Sequence, residues 1–278
     1  MKTLRGSDKI RRLACALILG SGVGPGRAPA EDAVEKPGKG VDYWLAAASK
    51  DQFAPASDPD HPLTFRKEPV LKWTNPLRRT DDGALFLWTD RGRPEVATSF
   101  WHSGTPDRPL IVHEFQTLAA RPLVGHHEGR VVWSPKLGIA LAPIPEAPTP
   151  AADAPGRLRQ IRALARDFKA YLDNPAERAE LRPLTQPLYR YETAGARSDV
   201  GDGCLFAFVH ATDPEVLLLI ESRAAAPGRS MAWHFGIGRM SGFPVHVDLK
   251  GKEVWRVDHV GSYADNTKPY WALGQSPP

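Results

Sequence analysis

Cysteine is almost absent, with two in 278 residues, Cys15 and Cys204, and this excludes a disulfide framework as the source of stability. No apolar run approaches the roughly 18 residues of a membrane-spanning helix. The serines form no G-x-S-x-G elbow, the glycines no phosphate loop or dinucleotide fingerprint, and the histidines no helical H-E-x-x-H pair. Common serine hydrolases, nucleotide enzymes and helical zinc proteases are therefore left without their defining residues. An excess of charge of one sign is missing too, once the N-terminus is set aside.

That N-terminus reads as an export signal. Lys2, Arg5, Lys9, Arg11 and Arg12 precede an apolar stretch over 13–19, and Ala28-Pro29-Ala30 supplies a small-x-small cleavage site. Arg11-Arg12 also permits the twin-arginine route. The signal holds six of the 36 basic residues and one of the 32 acidic ones, leaving 30 against 31 in the mature chain. The pI of about 9.1 thus comes largely from the removed segment, and a nucleic-acid partner is not expected. The expected location is the periplasm, the cell surface or the extracellular space. After cleavage only Cys204 is left, and its run Cys204-Leu205-Phe206-Ala207-Phe208 predicts a buried thiol.

Hydrophobic residues at 42% and charged residues at 24% are ordinary for a globular protein, and 27 prolines predict many turns. The main feature present is a duplication. Asp82-Gly83-Ala84-Leu85-Phe86 matches Asp202-Gly203-Cys204-Leu205-Phe206, and Pro94-Glu95-Val96 matches Pro214-Glu215-Val216, both at an offset of 120. Phe115 aligns with Phe235 at that offset, and Gly129, Val132 and Trp133 align with Gly251, Val254 and Trp255 two further on. Upstream, Pro76-Leu77-x-Arg79 corresponds to Pro187-Leu188-x-Arg190.

In the second copy, strands are expected over 188–192, 204–210, 215–222, 233–240, 245–249 and 253–257, each short, rich in Val, Leu, Ile and aromatics, and bounded by turn residues. Short connections such as Lys250-Gly251 make the strands antiparallel. Strands 205–209 and 216–220 are apolar at nearly every position, so both faces of the sheet centre should be covered. Apolar residues at helical spacing predict an amphipathic helix over 155–172, its arginines (Arg157, Arg159, Arg162, Arg166) on a solvated face.

The fold class expected is mainly β with one connecting helix: two repeated antiparallel units of about six strands, packed as a sandwich or a pseudo-symmetric sheet pair. The division is 1–30 signal peptide, 31–62 flexible lead-in with a short helix, 63–141 first unit, 142–184 proline-rich linker and amphipathic helix, 185–260 second unit, and 261–278 C-terminal tail. Residues 51–62, rich in Pro and Asp, read as loop.

No candidate catalytic residue stands out. The tightest titratable group is His113-Glu114 with His126-His127-Glu128, and imidazoles with a carboxylate hold zinc in many hydrolases. Against a metal site, His126 and His127 border the Glu128-Gly129 turn, where exposure is expected, and adjacent strand residues face opposite ways. The second group is His234, His246 and His259 with Asp248 and Asp258, in which His246 and Asp248 share a strand face and form a structural pair. Residues matched between the copies, Asp82/Asp202, Glu95/Glu215, Arg79/Arg190 and Trp133/Trp255, read as duplicated framework, the Asp-Gly pairs as turns. Trp101 and Trp271 have no obvious counterpart, and aromatics at sheet ends stack on sugars and other ligands.

The run Pro187-Leu188-Tyr189-Arg190-Tyr191-Glu192, with Asp202-Gly203 and with Thr212-Asp213-Pro214-Glu215-Val216-Leu217-Leu218-Leu219-Ile220-Glu221, resembles a family of uncharacterised exported bacterial proteins. The resemblance implies export and a shared fold, and carries no activity, cofactor or catalytic residue. The function expected is a non-catalytic binding or structural module, without cofactor, for an unidentified ligand or protein partner. The alternatives are a metal-dependent hydrolase using His113, His126, His127 and Glu128, and a ligand site between the units where Trp and Arg residues converge. A specific function should lie where the copies differ.

Overall fold

A computed structural model describes residues 38–105, 108–174, 177–192, 200–224 and 230–277; the segment expected to be an export signal lies outside the described residues. The protein is mainly β, built from antiparallel sheets packed on one another. The first half runs α1 (Val41–Ala48), β1 (Asp51–Pro55), β2 (Thr64–Phe65), β3 (Leu71–Asn75), β4 (Thr80–Asp90), β5 (Arg93–Thr105), β6 (Arg108–Thr117), β7 (Leu123–His127), β8 (Arg130–Trp133) and β9 (Leu141–Pro143). The second runs α2 (Ala154–Ala165), β10 (Phe168–Asn174), β11 (Glu177–Glu180), β12 (Arg182–Pro183), β13 (Tyr189–Glu192), β14 (Val200–His210), β15 (Asp213–Ala224), β16 (Met231–Arg239), β17 (Val245–Leu249), β18 (Lys252–Val257) and β19 (Tyr270–Gln275). No helix among the described residues is long and apolar enough to cross a membrane.

Two six-stranded sheets lie at the centre, in the orders β19-β6-β5-β4-β2 with β3 on β4, and β12-β14-β15-β16-β9 with β13 on β14. Alternation along the strands fixes the layers. Leu85, Leu87 and Ala97 of one sheet meet Leu205, Ala207, Leu217 and Leu219 of the other in a shared core. The intervening residues Ala84, Phe86, Trp88 and Phe100 pack outward on Trp44 of α1, Phe53 of β1 and Trp133 of β8. Cys204, Phe206, Leu218 and Ile220 pack outward on Ile161 and Leu164 of α2 and on Val245 and Val247. Both faces of each central sheet are therefore covered, which is why these strands read as unbroken apolar runs. Burial also pushes the Cys204 thiol up to about 12, so it is an inert core group.

The hydrogen-bond register makes the duplication exact enough to correct the sequence alignment. Gly83 pairs with Trp101 and Gly203 with Glu221, holding the offset of 120 across β4, β5 and their counterparts. Val96 pairs with Thr117, however, and Val216 with Arg239, so β6 and β16 correspond at 122. Phe115 is thus equivalent to Ile237, His113 to Phe235, and Glu114 to Gly236. Trp73 and Tyr191, each opposite a glycine whose missing Cβ makes room for the ring, are equivalent, so Arg79 does not correspond to Arg190. The repeat is also longer than the strands suggested. The amide of Glu128 donates to Lys50 and that of Lys250 to Asp167, which makes β1 the counterpart of β10 and α1 the counterpart of α2.

Each half lends its last strand to the other. β9 pairs with β16, while β19 returns to pair with β6. Truncation after Lys268 should strip the β6 edge of its partner and remove the stacking of Trp271 on Phe115. We expect insoluble protein or a thermal midpoint lower by about 10 °C or more, read by scanning calorimetry.

Several expectations are revised. The helix predicted over 155–172 ends at Ala165, because Phe168, Ala170 and Leu172 alternate inward as a strand paired with β17. Residues 51–55 form β1 and not loop, held by five partners on β7. The tail contains β19. The expected six-strand units are split between layers, since β7 and β8 leave the sheet of β6 and join β1 outside it. Asp82 and Asp202 lie inside β4 and β14 and tie helices to sheets: Asp82 accepts from Gly40 N and Trp44 Nε1, Asp202 from Arg157 and Arg190.

Candidate functional site

The two copies diverge where each long central hairpin begins. β5 opens Arg93-Pro94-Glu95 and β15 opens Asp213-Pro214-Glu215, so an arginine in one copy stands where the other has an aspartate. Glu221 of the second copy likewise corresponds to Trp101 of the first.

At the first of these positions the core is closed by ions. Arg93, 1% exposed, donates through Nε to Glu221 (3.0 Å) and through Nη1 to Glu95 (3.0 Å) and the Leu118 carbonyl (3.1 Å). Tyr191 donates its hydroxyl to Glu221, and Arg223 reaches the other oxygen at 2.7 Å. Burial alone lowers an arginine's pKa, but Glu221, Tyr191 and Glu95 hold Arg93 above its ordinary value. Burial likewise raises Glu221, and Arg93, Tyr191 and Arg223 overcome it, so this carboxylate sits below the usual range. Each of these charges has a partner within hydrogen-bond distance.

At the second position a cleft of about 700 Å³ opens between the halves. Trp73, Arg78, Trp101 and Glu114 line it from the first half, and Asp213, His259 and Tyr263 are among its residues from the second. The short 3-10 turn Pro76–Arg78 delivers the arginine: the Asn75 side chain caps it, and Arg79, in the left-handed region at φ 59°, turns the chain away. Arg78 Nη1 then lies 2.7 Å from Glu215 and 3.2 Å from Asp213, with its guanidinium 4.9 Å from the centre of the Phe243 ring. Asn75 Nδ2 adds a bond of 3.0 Å to Asp213. Glu114 accepts from the Tyr270 hydroxyl. Arg239 donates through its three nitrogens to the carbonyls of Ser241, Phe243 and Asp258, and its charge acts on Glu114 at longer range.

Three buried carboxyls thus crowd round Arg78, and burial favours their protonated forms. Burial and the nearby Glu215 push Asp213 up to about 7 against the pull of Asn75 and Arg78. Burial raises Glu215 as well, with Arg78 and Ser241 opposing, so the two titrate as a pair. Glu114 is driven well above the carboxylate range by burial and by the neighbouring Asp213 and Glu215, with the Tyr270 bond opposing. Burial thus favours carboxyl O–H donors on the floor of the cleft, beside the phenols of Tyr263 and Tyr270. Its wall is aromatic: Trp101 is half-buried, with its ring centre 5.9 Å from that of Trp73. Perturbed carboxyls in a concave, aromatic-lined space mark a binding or catalytic site.

The histidine groups expected from sequence are only partly assembled. His113 and His127 converge, and both are bridged by Asp51: their Nδ1 atoms lie 2.8 and 2.6 Å from its two oxygens. His127 is 3% exposed and not a surface residue, because β7 pairs with β1 and buries every second side chain. His126 faces the other way, and Glu128 is exposed and paired with Lys50 at 2.8 Å. In the second group His246 Nδ1 bonds Asp173 (2.9 Å) and not Asp248, since β10 lies alongside and a bulge follows Val247. His234 bonds the Ala232 carbonyl, and of this group His259 reaches the cleft. Trp133 is buried; Trp255 is half-buried.

Sequence reasoning placed Glu114 in the histidine group and not with the cleft, and missed Arg78 and Asp213 as site residues. One signal was available: an Arg93-to-Asp213 charge reversal ahead of a shared Pro-Glu, in otherwise matched copies. The fold and cleft define a duplicated, strand-exchanged β protein with one ion-closed junction and one open one. No known family, curated protein or solved structure matches the chain.

Proposed function

We propose that this is an exported, non-catalytic binding module that holds a ligand of the saccharide class in the junction cleft. The observation that carries the reading is the asymmetry of the duplication: where Arg93 and Glu221 fill one junction, Asp213 and Trp101 leave the other open. A sugar ring has an apolar face to lie on Trp101 and hydroxyls to meet Asp213, Arg78 and the carboxyl of Glu114, the pairing of flat aromatic and planar polar groups that such ligands use. Export to the periplasm or cell surface follows from the N-terminal signal pattern, and its resemblance to exported bacterial proteins supports the same location.

The test is isothermal titration with cellotetraose, maltotetraose and chitotetraose. Binding of at least one is expected, with Trp101→Ala weakening it roughly 10-fold or more. Equal affinity in the variant would remove the cleft from consideration.

A further inference from the structure

We propose that Asp51, His113 and His127 form a binding site for a divalent transition-metal ion of the zinc class, independent of the cleft. The three come from β1, β6 and β7, are all buried, and each offers a ligand atom within 4.8 Å of the others. Since neighbours on a strand face opposite ways, His113 points to the outer layer while Glu114 points to the cleft.

The duplication supplies the control that a single structure lacks. By register, Asp51, His113 and His127 correspond to Phe168, Phe235 and Leu249. In the second half those side chains are core, with the two phenylalanine rings 5.2 Å apart. The same backbone positions therefore pack well with apolar groups, and nothing in the fold calls for two imidazoles and a carboxylate. Burying them costs desolvation that a hydrocarbon trio avoids, so their presence needs a reason other than packing.

Two further observations point to a ligand. His127 Nε2 is buried with no hydrogen-bond partner, a lone pair or proton left without use. A cavity of about 80 Å³, lined by Lys50, Tyr43 and, of the trio, His113, has room for a water that could complete a four-coordinate shell. Two imidazoles and one carboxylate suit zinc and its first-row neighbours in place of calcium or magnesium. The other compact group, His246 with Asp248 and Glu253, is less suited: Arg178 contacts His246, and Arg256 binds Glu253 at 2.6 Å, so cations already occupy its surroundings. A ring that binds the ion through Nε2 keeps its Nδ1–H on Asp51, whereas one that binds through Nδ1 releases that proton or moves it to Nε2.

The experiment uses purified protein stripped with a chelator and titrated with Zn²⁺ and Co²⁺. Expected are about one equivalent bound, visible d–d absorption of four-coordinate Co²⁺, and a raised thermal midpoint. The triple variant Asp51→Phe, His113→Phe, His127→Leu copies the second half; it should fold and lose all three responses. Should it fail to fold, His127→Gln is measured instead, with a loss of roughly 10-fold or more in affinity expected. No stoichiometric binding by the wild type, or a response that survives in the variant, overturns the proposal.

Discussion

Replacing Arg93 by methionine is expected to cost about 3–5 kcal/mol of stability, the largest effect of any single substitution at the junctions. The arginine is 1% exposed and is shared by Glu95 and Glu221, so its removal leaves two carboxyls in the core with cations only at the edge, Arg223 at 2.7 Å from Glu221 and Arg121 at 3.7 Å from Glu95. With the central guanidinium gone, burial favours the protonated form of those carboxyls. Urea denaturation should show the loss, and it should be smaller at pH 5 than at pH 8. The double variant Arg93→Met, Glu221→Gln should recover part of it, because a neutral amide leaves less uncompensated charge. Equal losses in the single and double variants would mean that packing, and not charge, is what Arg93 supplies.

Asp213→Asn is expected to stabilise the protein at pH 8 by about 2–4 kcal/mol while changing little at pH 4. The sign follows from the direction of the shift. The folded-state carboxyl, raised to about 7 from 3.8, keeps a proton that the unfolded chain has released. Stability from this group is thus fully present below the unfolded value and is lost as pH climbs through the folded one, over a window of about pH 4 to 7. Glu114 and Glu215 are raised too and add slope of the same sign. Glu221 is lowered and acts oppositely at acid pH, so the informative quantity is the difference between wild type and Asp213→Asn across pH. A difference that does not depend on pH would show that Asp213 carries no proton in the folded state. Stability given up at neutral pH in this way is what a site open to a ligand costs.

Much of the framework was legible in the sequence because its signals are local. The matched Asp-Gly and Pro-Glu blocks announced the duplication, and the unbroken runs at 205–209 and 216–220 announced sheets covered on both faces. Boundaries failed where tertiary contacts overrode local pattern. Phe168 and Leu172 fit both a helical and an alternating period, and pairing with Leu249 and Val245 decided for the strand. The exchange of β9 and β19 left no trace, since a short strand's partner is not written in its own residues. The Asp51 bridge to His113 and His127 was hidden for the same reason: 62 and 76 residues separate its ends, and Asp51 lay in a segment that reads as loop. The cleft was half legible. The expectation that function lies where the copies differ is what brings the Arg93/Asp213 pair into view, but aligning Phe115 with Phe235 in place of Ile237 set β6 two residues out of step with β16.

The central claim is that one junction of a duplicated fold is closed by ions and the other is open for a ligand. The most direct measurement follows the Trp indole N–H resonances by NMR during titration with the tetrasaccharide that binds best. The account predicts that the Trp101 signal moves in proportion to occupancy, while the signals of Trp44 and Trp133, buried in the outer layer, stay in place. Movement of those buried signals with Trp101 unchanged, or no movement with any of the three sugars, would contradict it.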